Sequence, residues 1–364
     1  MIRLGYPKKS LGLPYIKEDD RFKHAFILGS TGSGKTTFLT NLISKELDAG
    51  GIIVLDPSGD LAEKVARLDF DPSRLVYVDR YHPISLNPLK TARTKAEQAN
   101  ELIEIISTIV ATFSPGQMEF TVLMQHIMRN AIRVREFENI QEIGHFMEFP
   151  EERKKINDRF WFDFDSKINR EKADSARRIN ARLSAFYEDE NIWPFVSGSN
   201  QFDIPGIARD KKIVIFDLGS FDDHATVFIG CLITHQLKGY YLAAERGTDP
   251  LLFYCDEFHQ FFTRYFDRFL NEARKYNLSI NLATHSLDLM DRRLAQIVLT
   301  NCYLKVVLGC NADDAKMMSK NMSITESDLM KLCSHEAYIS IGRNPTHIDC
   351  FPLPELKESK PEIE

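Results

Sequence analysis

Phe22-Lys-His-Ala-Phe-Ile-Leu-Gly29-Ser30-Thr31-Gly32-Ser33-Gly34-Lys35-Thr36-Thr37 is the stretch that decides the fold. Phe22–Leu28 reads as a short apolar strand, and Gly29-x-x-x-x-Gly34-Lys35-Thr36 fits the loop that cradles phosphates between a strand and a helix. Phe38, Leu39, Leu42, Ile43 and Leu47 fall at helical spacing, and Gly50-Gly51 ends that helix. The glycines let the backbone curl until successive N–H groups face one point. Lys35 then places a point charge on the outer phosphates, the Thr36 hydroxyl binds Mg²⁺, and the helix N-terminus adds its dipole. ATP and Mg²⁺ are the expected ligands, and Gly29 through Thr37 the expected binding residues.

Such a loop needs a second acidic element. Leu251-Leu-Phe-Tyr-Cys-Asp256-Glu257 is an apolar strand ending in two carboxylates. Asp256 is expected to hold Mg²⁺, and Glu257 to orient or deprotonate an attacking water, which a hydrolase requires. The run Ile280-Asn-Leu-Ala-Thr284-His285 also ends in polar residues. Strand C-termini line the ligand crevice of a parallel sheet, so Thr284 and His285 are expected to sense the outermost phosphate.

Around these segments, Ile52–Leu55, Leu75–Val78, Ile213–Phe216, Ser279–Ala283 and Tyr303–Leu308 read as buried strands alternating with helices. That alternation predicts an α/β fold, a mainly parallel sheet covered by helices on both faces. Glu336–Ile341 and His347–Phe351 are expected to close it as a hairpin or edge pair. Between the first strands and Asp256 the period changes: Leu102, Ile105, Ile106, Ile109 and Phe113 make one helical stripe. Met124, Ile127, Met128, Ala131 and Ile132 make a second, and Ala176, Ile179, Leu183 and Phe186 a third. The predicted organisation is a first ATPase segment over 1–93, an all-α insertion over 94–200, a second ATPase segment over 201–351, and a mobile tail over 352–364.

Across 364 residues, 43% are hydrophobic and 27% charged, an ordinary globular balance with mass for about two domains. The net charge of -6 announces no global basic field, although a ring can hide a basic lining. None of the six cysteines forms a C-x-x-C pair, which argues against a zinc site and for a reducing cytoplasm. No apolar run approaches the roughly 20 residues that span a bilayer, so no membrane insertion is expected and recruitment to a membrane falls to partners.

Gly29–Thr36, Asp56-Pro-Ser-Gly-Asp60, Leu86-Asn-Pro-Leu89, Asp256-Glu-Phe-His259 and Glu272-Ala-Arg274-Lys-Tyr-Asn-Leu-Ser-Ile-Asn-Leu-Ala-Thr-His285 together resemble the FtsK–HerA superfamily of ring-forming, DNA-pumping ATPases. Within it, the chain is most similar to the coupling proteins of conjugation and type IV secretion, over roughly Phe22 to Leu308. The resemblance implies a RecA-like P-loop fold, a homohexamer with ATP at subunit interfaces, and an arginine finger at Arg274 that reaches the neighbouring site. His285 departs from the Gln usual in the family, and no membrane-spanning helices of the coupling-protein kind are found.

The expected cargo is DNA, held without sequence preference by Lys, Arg and polar groups. Arg264, Arg268 and the cluster Arg177, Arg178 and Arg182 are candidate contacts. A secretion channel, a relaxase or a capsid would be the partner. Viral genome packaging, DNA-end processing, protein secretion or remodelling, and a slow docking module remain open alternatives at this point.

Overall fold

The apolar runs become strands in a computed structural model that describes residues 1–8, 14–91, 94–113, 120–166, 170–244, 247–262, 266–342 and 344–361. In chain order they are β1 (Ile2–Arg3), β2 (Tyr6–Pro7), β3 (Tyr15–Ile16), β4 (Ala25–Leu28), β5 (Gly51–Asp56), β6 (Leu75–Val78), β7 (Ile213–Asp217), β8 (Leu251–Cys255), β9 (Leu278–Thr284), β10 (Leu304–Val307), β11 (Glu336–Ile341) and β12 (Asn344–Asp349). By internal contacts the chain divides into two units. Met1–Tyr81, Ile204–Ser220 and Leu237–Glu364 form the first; His82–Asp203 and Phe221–Gln236 form the second.

The first unit holds a 10-stranded sheet in the order β2-β12-β11-β10-β4-β9-β8-β5-β7-β6. From β10 to β6 every pairing is parallel, and β11, β12 and β2 continue the sheet antiparallel. Both faces of the parallel part are covered, so Ile52, Ile53, Val54 and Leu55 are all completely buried. This is why these strands read as unbroken apolar runs rather than alternating ones. The predicted α/β architecture is therefore the one found. Because the strands run parallel, β4, β9 and β8, adjacent in the sheet, deliver the segments that follow them to one edge.

Beneath this edge lies a buried polar knot. Arg21, only 2% exposed, donates to Glu46 at the end of the helix Lys35–Ser44, to Asn281 of β9 at 2.5 Å and to Tyr254 of β8 at 3.5 Å. Tyr254 and Asn281 are cross-strand partners in the sheet register, so one guanidinium spans both strands and the helix. Removing one partner from such a buried ion pair costs about 3–5 kcal/mol. Next to it, His24 is fully buried, its Nε2 facing the carbonyl of Leu270 at 3.2 Å and its Nδ1 accepting from the Ile280 N–H at 3.2 Å. Those two bonds select the neutral tautomer.

Two segments differ from expectation. The first central strand starts at Ala25 rather than Phe22, because Glu18–Arg21 is helical and His24 turns the chain with φ 64°. The described part of the tail expected to be mobile, 352–361, is tethered instead: Lys357 N–H donates to the Arg67 carbonyl and Arg67 Nε returns a bond to the Lys357 carbonyl, each at 2.8 Å. Leu356 packs against the core, and Asn41 Nδ2 donates to the Pro352 carbonyl at 2.7 Å.

The second unit is helical and includes Lys95–Phe113, Val122–Val134, Ile140–Glu148 and Arg170–Tyr187. The three stripes supply its core: Leu102, Ile105, Ile127, Met128, Ile179 and Leu183 are completely buried. Asn87 of the Leu86–Leu89 segment acts as a clamp, since its Nδ2 donates to the carbonyls of Glu138 at 2.7 Å and Gly198 at 2.8 Å.

Burial lowers the His24 pKa from 6.5 to about 4, helped by the charges of Arg274 and Arg21. The unfolded chain therefore takes a proton on this ring before the folded one does. Stability is whole above pH 6.5 and falls as the pH drops toward 4, by an amount on the order of 3 kcal/mol. Urea unfolding at several pH values in this window should show a shallower decline for His24→Gln than for the wild type; equal slopes would contradict it.

Candidate functional site

After β4 the chain enters Gly29–Gly34 and turns into the helix Lys35–Ser44. Gly32 and Gly34 have φ of 78° and 99°, a region that L side chains rarely adopt, which is what the glycines are for. The loop is pinned from below: Gly29 N–H donates to the Thr284 carbonyl at 3.1 Å and Ser30 N–H to the Gly309 carbonyl at 3.0 Å. It is also strapped from the segment before β11. Ser334 Oγ donates to the Gly32 carbonyl at 3.1 Å, His335 N–H to the Ser33 carbonyl at 3.1 Å, and a Cβ on Gly34 would lie 2.8 Å from the His335 ring.

A cavity of about 380 Å³ opens over this loop. Of the residues expected to bind ATP, all but Ser33, which is buried, line it. Asp256, Glu257 and His285 line the same space, delivered there by β8 and β9. Ser58, Asp60 and Lys64 complete the wall. Their turn is built on Asp56, fully buried, whose carboxylate accepts from Ser58 N–H at 2.9 Å, Ser58 Oγ at 2.8 Å and Ala62 N–H at 2.9 Å.

At the floor of the cavity, Lys35 Nζ lies 2.8 Å from Asp256 Oδ1 and 2.5 Å from Glu257 Oε1. The other Glu257 oxygen accepts from His285 Nδ1 at 2.9 Å and from His285 N–H at 3.3 Å. Burial pushes the Asp256 carboxyl above the usual range, and Lys35 offsets this only in part. Burial pushes Glu257 up as well, but there the Lys35 ammonium and then His285 outweigh it, so the net shift is downward. The same two carboxylates, in turn, outweigh burial at Lys35 and raise its pKa. Adjacent acids are thus displaced in opposite directions by their surroundings.

His259 is a site residue that sequence reasoning assigned no role. Its Nδ1 lies 3.2 Å from Thr284 Oγ1 and 3.5 Å from Glu257 Oε2, and burial lowers its pKa first, with Glu257 opposing. Its signal is its place three residues after Asp256, in the turn anchored by Phe258 edge-on to Phe26 at 6.2 Å. Ser334 and His335 were also missed, since nothing local marks a contact made across 302 residues.

Arg274 is not brought to this cavity. It is exposed and precedes β9, at the opposite end of the strand from His285. Of the candidate DNA contacts, Arg264 lies outside the described residues. Arg268 pairs with Glu272 at 2.9 Å and Arg177 with Asp174 at 3.3 Å, as solvated helix faces do.

A family model for the central domain of the helicase HerA matches residues 15–237, more than half the chain. The chain belongs to the HerA family. A second model, the TraM recognition site of TraD and TraG, matches residues 250–331 of this HerA-family chain. Among solved structures it is similar to the unbound bacterial conjugative coupling protein TrwBΔN70, with TM-score 0.69 and 14% identity over 98% of this chain and 91% of that one. VirB4 of Thermoanaerobacter pseudethanolicus aligns with TM-score 0.68 and 16% identity over 97% and 96% of the two chains. TrwB in complex with ADP and Mg²⁺ aligns with TM-score 0.67 and 15% identity over 97% and 90%. No curated protein matches in sequence. The family places the fold in the FtsK–HerA superfamily.

The two glycines at positive φ separate backbone cost from crowding. Gly32→Ala, with open space around the new Cβ, is expected to lose about 1–2 kcal/mol of stability from its φ alone. Gly34→Ala should lose more, because His335 must also move, and adding His335→Ala should remove that excess. Denaturant unfolding of the three variants measures it; equal losses for both glycines would refute the crowding.

Proposed function

We propose that the chain is the subunit of an ATP-driven ring motor that moves DNA in conjugative or type IV transfer. The observation that carries the reading is the Lys35 ammonium seated between Asp256 and Glu257 in the cavity lined by the glycine-rich loop. Relatives of this fold include TrwB with an ATP analogue and TrwB with ADP and Mg²⁺. The residues present suit the same ligands. Thr36 and Asp256 line one cavity, and no cluster of three or more His, Cys, Asp or Glu among the described residues forms a closed metal cage. One hydroxyl and one carboxylate leave the other positions to phosphate and water, the arrangement Mg²⁺ favours. When bound, Mg²⁺ neutralises charge between the outer phosphates.

In this reading Gly29–Thr37 hold the phosphates and Lys35 moves from the carboxylates to the β- and γ-oxygens. Glu257 orients the attacking water and takes its proton. His285 holds the second Glu257 oxygen and senses the γ-phosphate. Arg274 stands at the far end of a seven-residue strand, roughly 23 Å from the cavity. It therefore serves a neighbouring subunit, which makes hydrolysis depend on a homohexamer. The match to the TraM recognition model favours conjugation, with relaxosome and secretion-channel partners, over genome packaging. No helix among the described residues is long and apolar enough to cross a membrane, which suits a cytoplasmic ring recruited by partners.

ATP turnover with and without DNA, over a range of salt, tests the motor. DNA should stimulate turnover and salt should suppress the stimulation, while Glu257→Gln should bind ATP normally and lose at least about a hundredfold in turnover. Stimulation by a protein partner with no response to DNA would sink the reading. The ring is tested separately: Arg274→Ala subunits mixed with Lys35→Ala subunits should recover part of the activity, through interfaces that pair an intact finger with an intact loop. No recovery in rings shown to be mixed would rule out a finger acting in trans.

A further inference from the structure

The helices Arg292–Asn301 and Ala312–Met322 follow β9 and β10, which run parallel, so both set out from the same edge of the sheet. Between them lies a groove of about 720 Å³, remote in sequence from the nucleotide loop and sharing no residue with its cavity. Arg292, Gln296 and Thr300 form one wall, at every fourth position of the first helix. Lys316, Lys320 and Asn321 form the other. Four helical residues rise about 6 Å, so the first wall is a ladder of three donors at a regular step, and Lys316 and Lys320 repeat that step once on the other. Among the described residues, Arg292, Lys316 and Lys320 form no ion pair. Two carboxylates, Asp288 and Asp313, also line the groove near the sheet edge, where both helices begin.

We propose that this groove holds the sugar-phosphate backbone of the DNA that the motor moves; the inference rests on the reading of the chain as a DNA motor. Beside Leu299 and Met317, its polar side chains are Lys, Arg, Gln, Asn and Thr, the types that contact phosphates without carrying sequence information. No aromatic side chain lines it, so bases are not stacked there. A polymer with one charge per regular step matches a ladder of donors better than an acidic peptide, whose carboxylates are irregularly spaced. Asp288 and Asp313 repel the backbone at the edge and direct it toward Lys316 and Lys320. The groove is also bolted to the site. Asp314, beside Asp313 and 1% exposed, accepts the Leu287 N–H at 3.0 Å, and Leu287 is two residues from His285.

Fluorescence anisotropy with a fluorescein-labelled single strand, and with its duplex, tests the groove directly in the full chain. Lys316→Gln with Lys320→Gln should weaken binding at least about tenfold at low salt and flatten the salt dependence by about 0.7–0.9 per lysine removed. Lys316→Arg with Lys320→Arg should keep the affinity, and ATP turnover without DNA should be unchanged in both variants, which shows the chain still folds. Wild-type affinity and slope in the Gln variant would overturn the proposal. So would loss of binding to labelled polyglutamate with DNA binding intact, which would assign the groove to an acidic protein. If the wild type binds DNA yet DNA does not stimulate turnover, the motor reading fails while the slopes still judge the groove. No DNA binding by the wild type overturns both.

Discussion

A guanidinium that cannot reach water sets the constraint from which the site follows. Arg21 is held by Glu46, Tyr254 and Asn281, and its own carbonyl accepts from Ser279 Oγ at 2.7 Å. An unpaired charge at this depth is too costly to persist, so the turn after the helix Lys35–Ser44, which carries Glu46, and the strands β8 and β9 must converge wherever Arg21 lies. The helix begins at Lys35, β8 leads into Asp256 and Glu257, and β9 leads into His285. Fixing these three elements at the knot fixes the relative positions of the four side chains at their active ends. Hydrophobic packing is non-directional and tolerates small slips between neighbours. A bidentate pair does not, and Arg21 makes one with Glu46 while its Nη2 also reaches Tyr254 of β8 and Asn281 of β9.

The electrostatics at the active end depend on that alignment. Asp256 and Glu257 are sequence neighbours on one turn, and both touch Lys35, yet their carboxyls are displaced in opposite directions. Asp256 is the more deeply buried and shares Lys35 with a second acid, so desolvation wins. Glu257 has its second oxygen turned to His285, and added positive charge wins. Its backbone lies at φ 44°, and that oxygen faces His285, which follows β9. Two acids with separated environments suit two separate duties, one at a metal and one at a water.

Much of this is legible in the sequence because it is carried by short runs. Gly29–Thr37 and Asp256-Glu257 each follow an unbroken apolar strand, and a parallel sheet sends such segments to one edge whatever the rest of the chain does. The helical stripes at Leu102–Ile109, Met124–Ile132 and Ala176–Phe186 were equally local, and they form the core of the helical unit. What was illegible depends on distant partners. Arg21 reads as one charge in Glu18-Asp-Asp-Arg21, and nothing near it announces burial. Ser334 and His335 touch the glycine loop only through the fold, and the tail looks solvated until Leu356 and Lys357 meet the core and Arg67. His259 lies between these cases, close to Asp256 in sequence but given meaning by Thr284 on another strand.

The short route between the groove and the acids bears on how a motor of this kind would be coupled. Lys316 stands two residues from Asp314, which holds the Leu287 N–H, and Asn311 Nδ2 donates to Ser286 Oγ at 3.3 Å. Ser286 adjoins His285, whose ring and backbone both engage Glu257. Proximity alone does not couple two sites; an element with two arrangements is needed, biased differently by each ligand. In the proposed motor the Glu257 carboxylate would be that element, because its two oxygens are divided between Lys35 on the glycine-loop helix and His285 on the loop held by Asp314. Nucleotide would draw Lys35 away from one oxygen, and a DNA backbone on the helix Ala312–Met322 would act through Asp314 on the partner of the other. The carboxylate would then be the point at which both ligands act, and its freedom to meet water would depend on the two together.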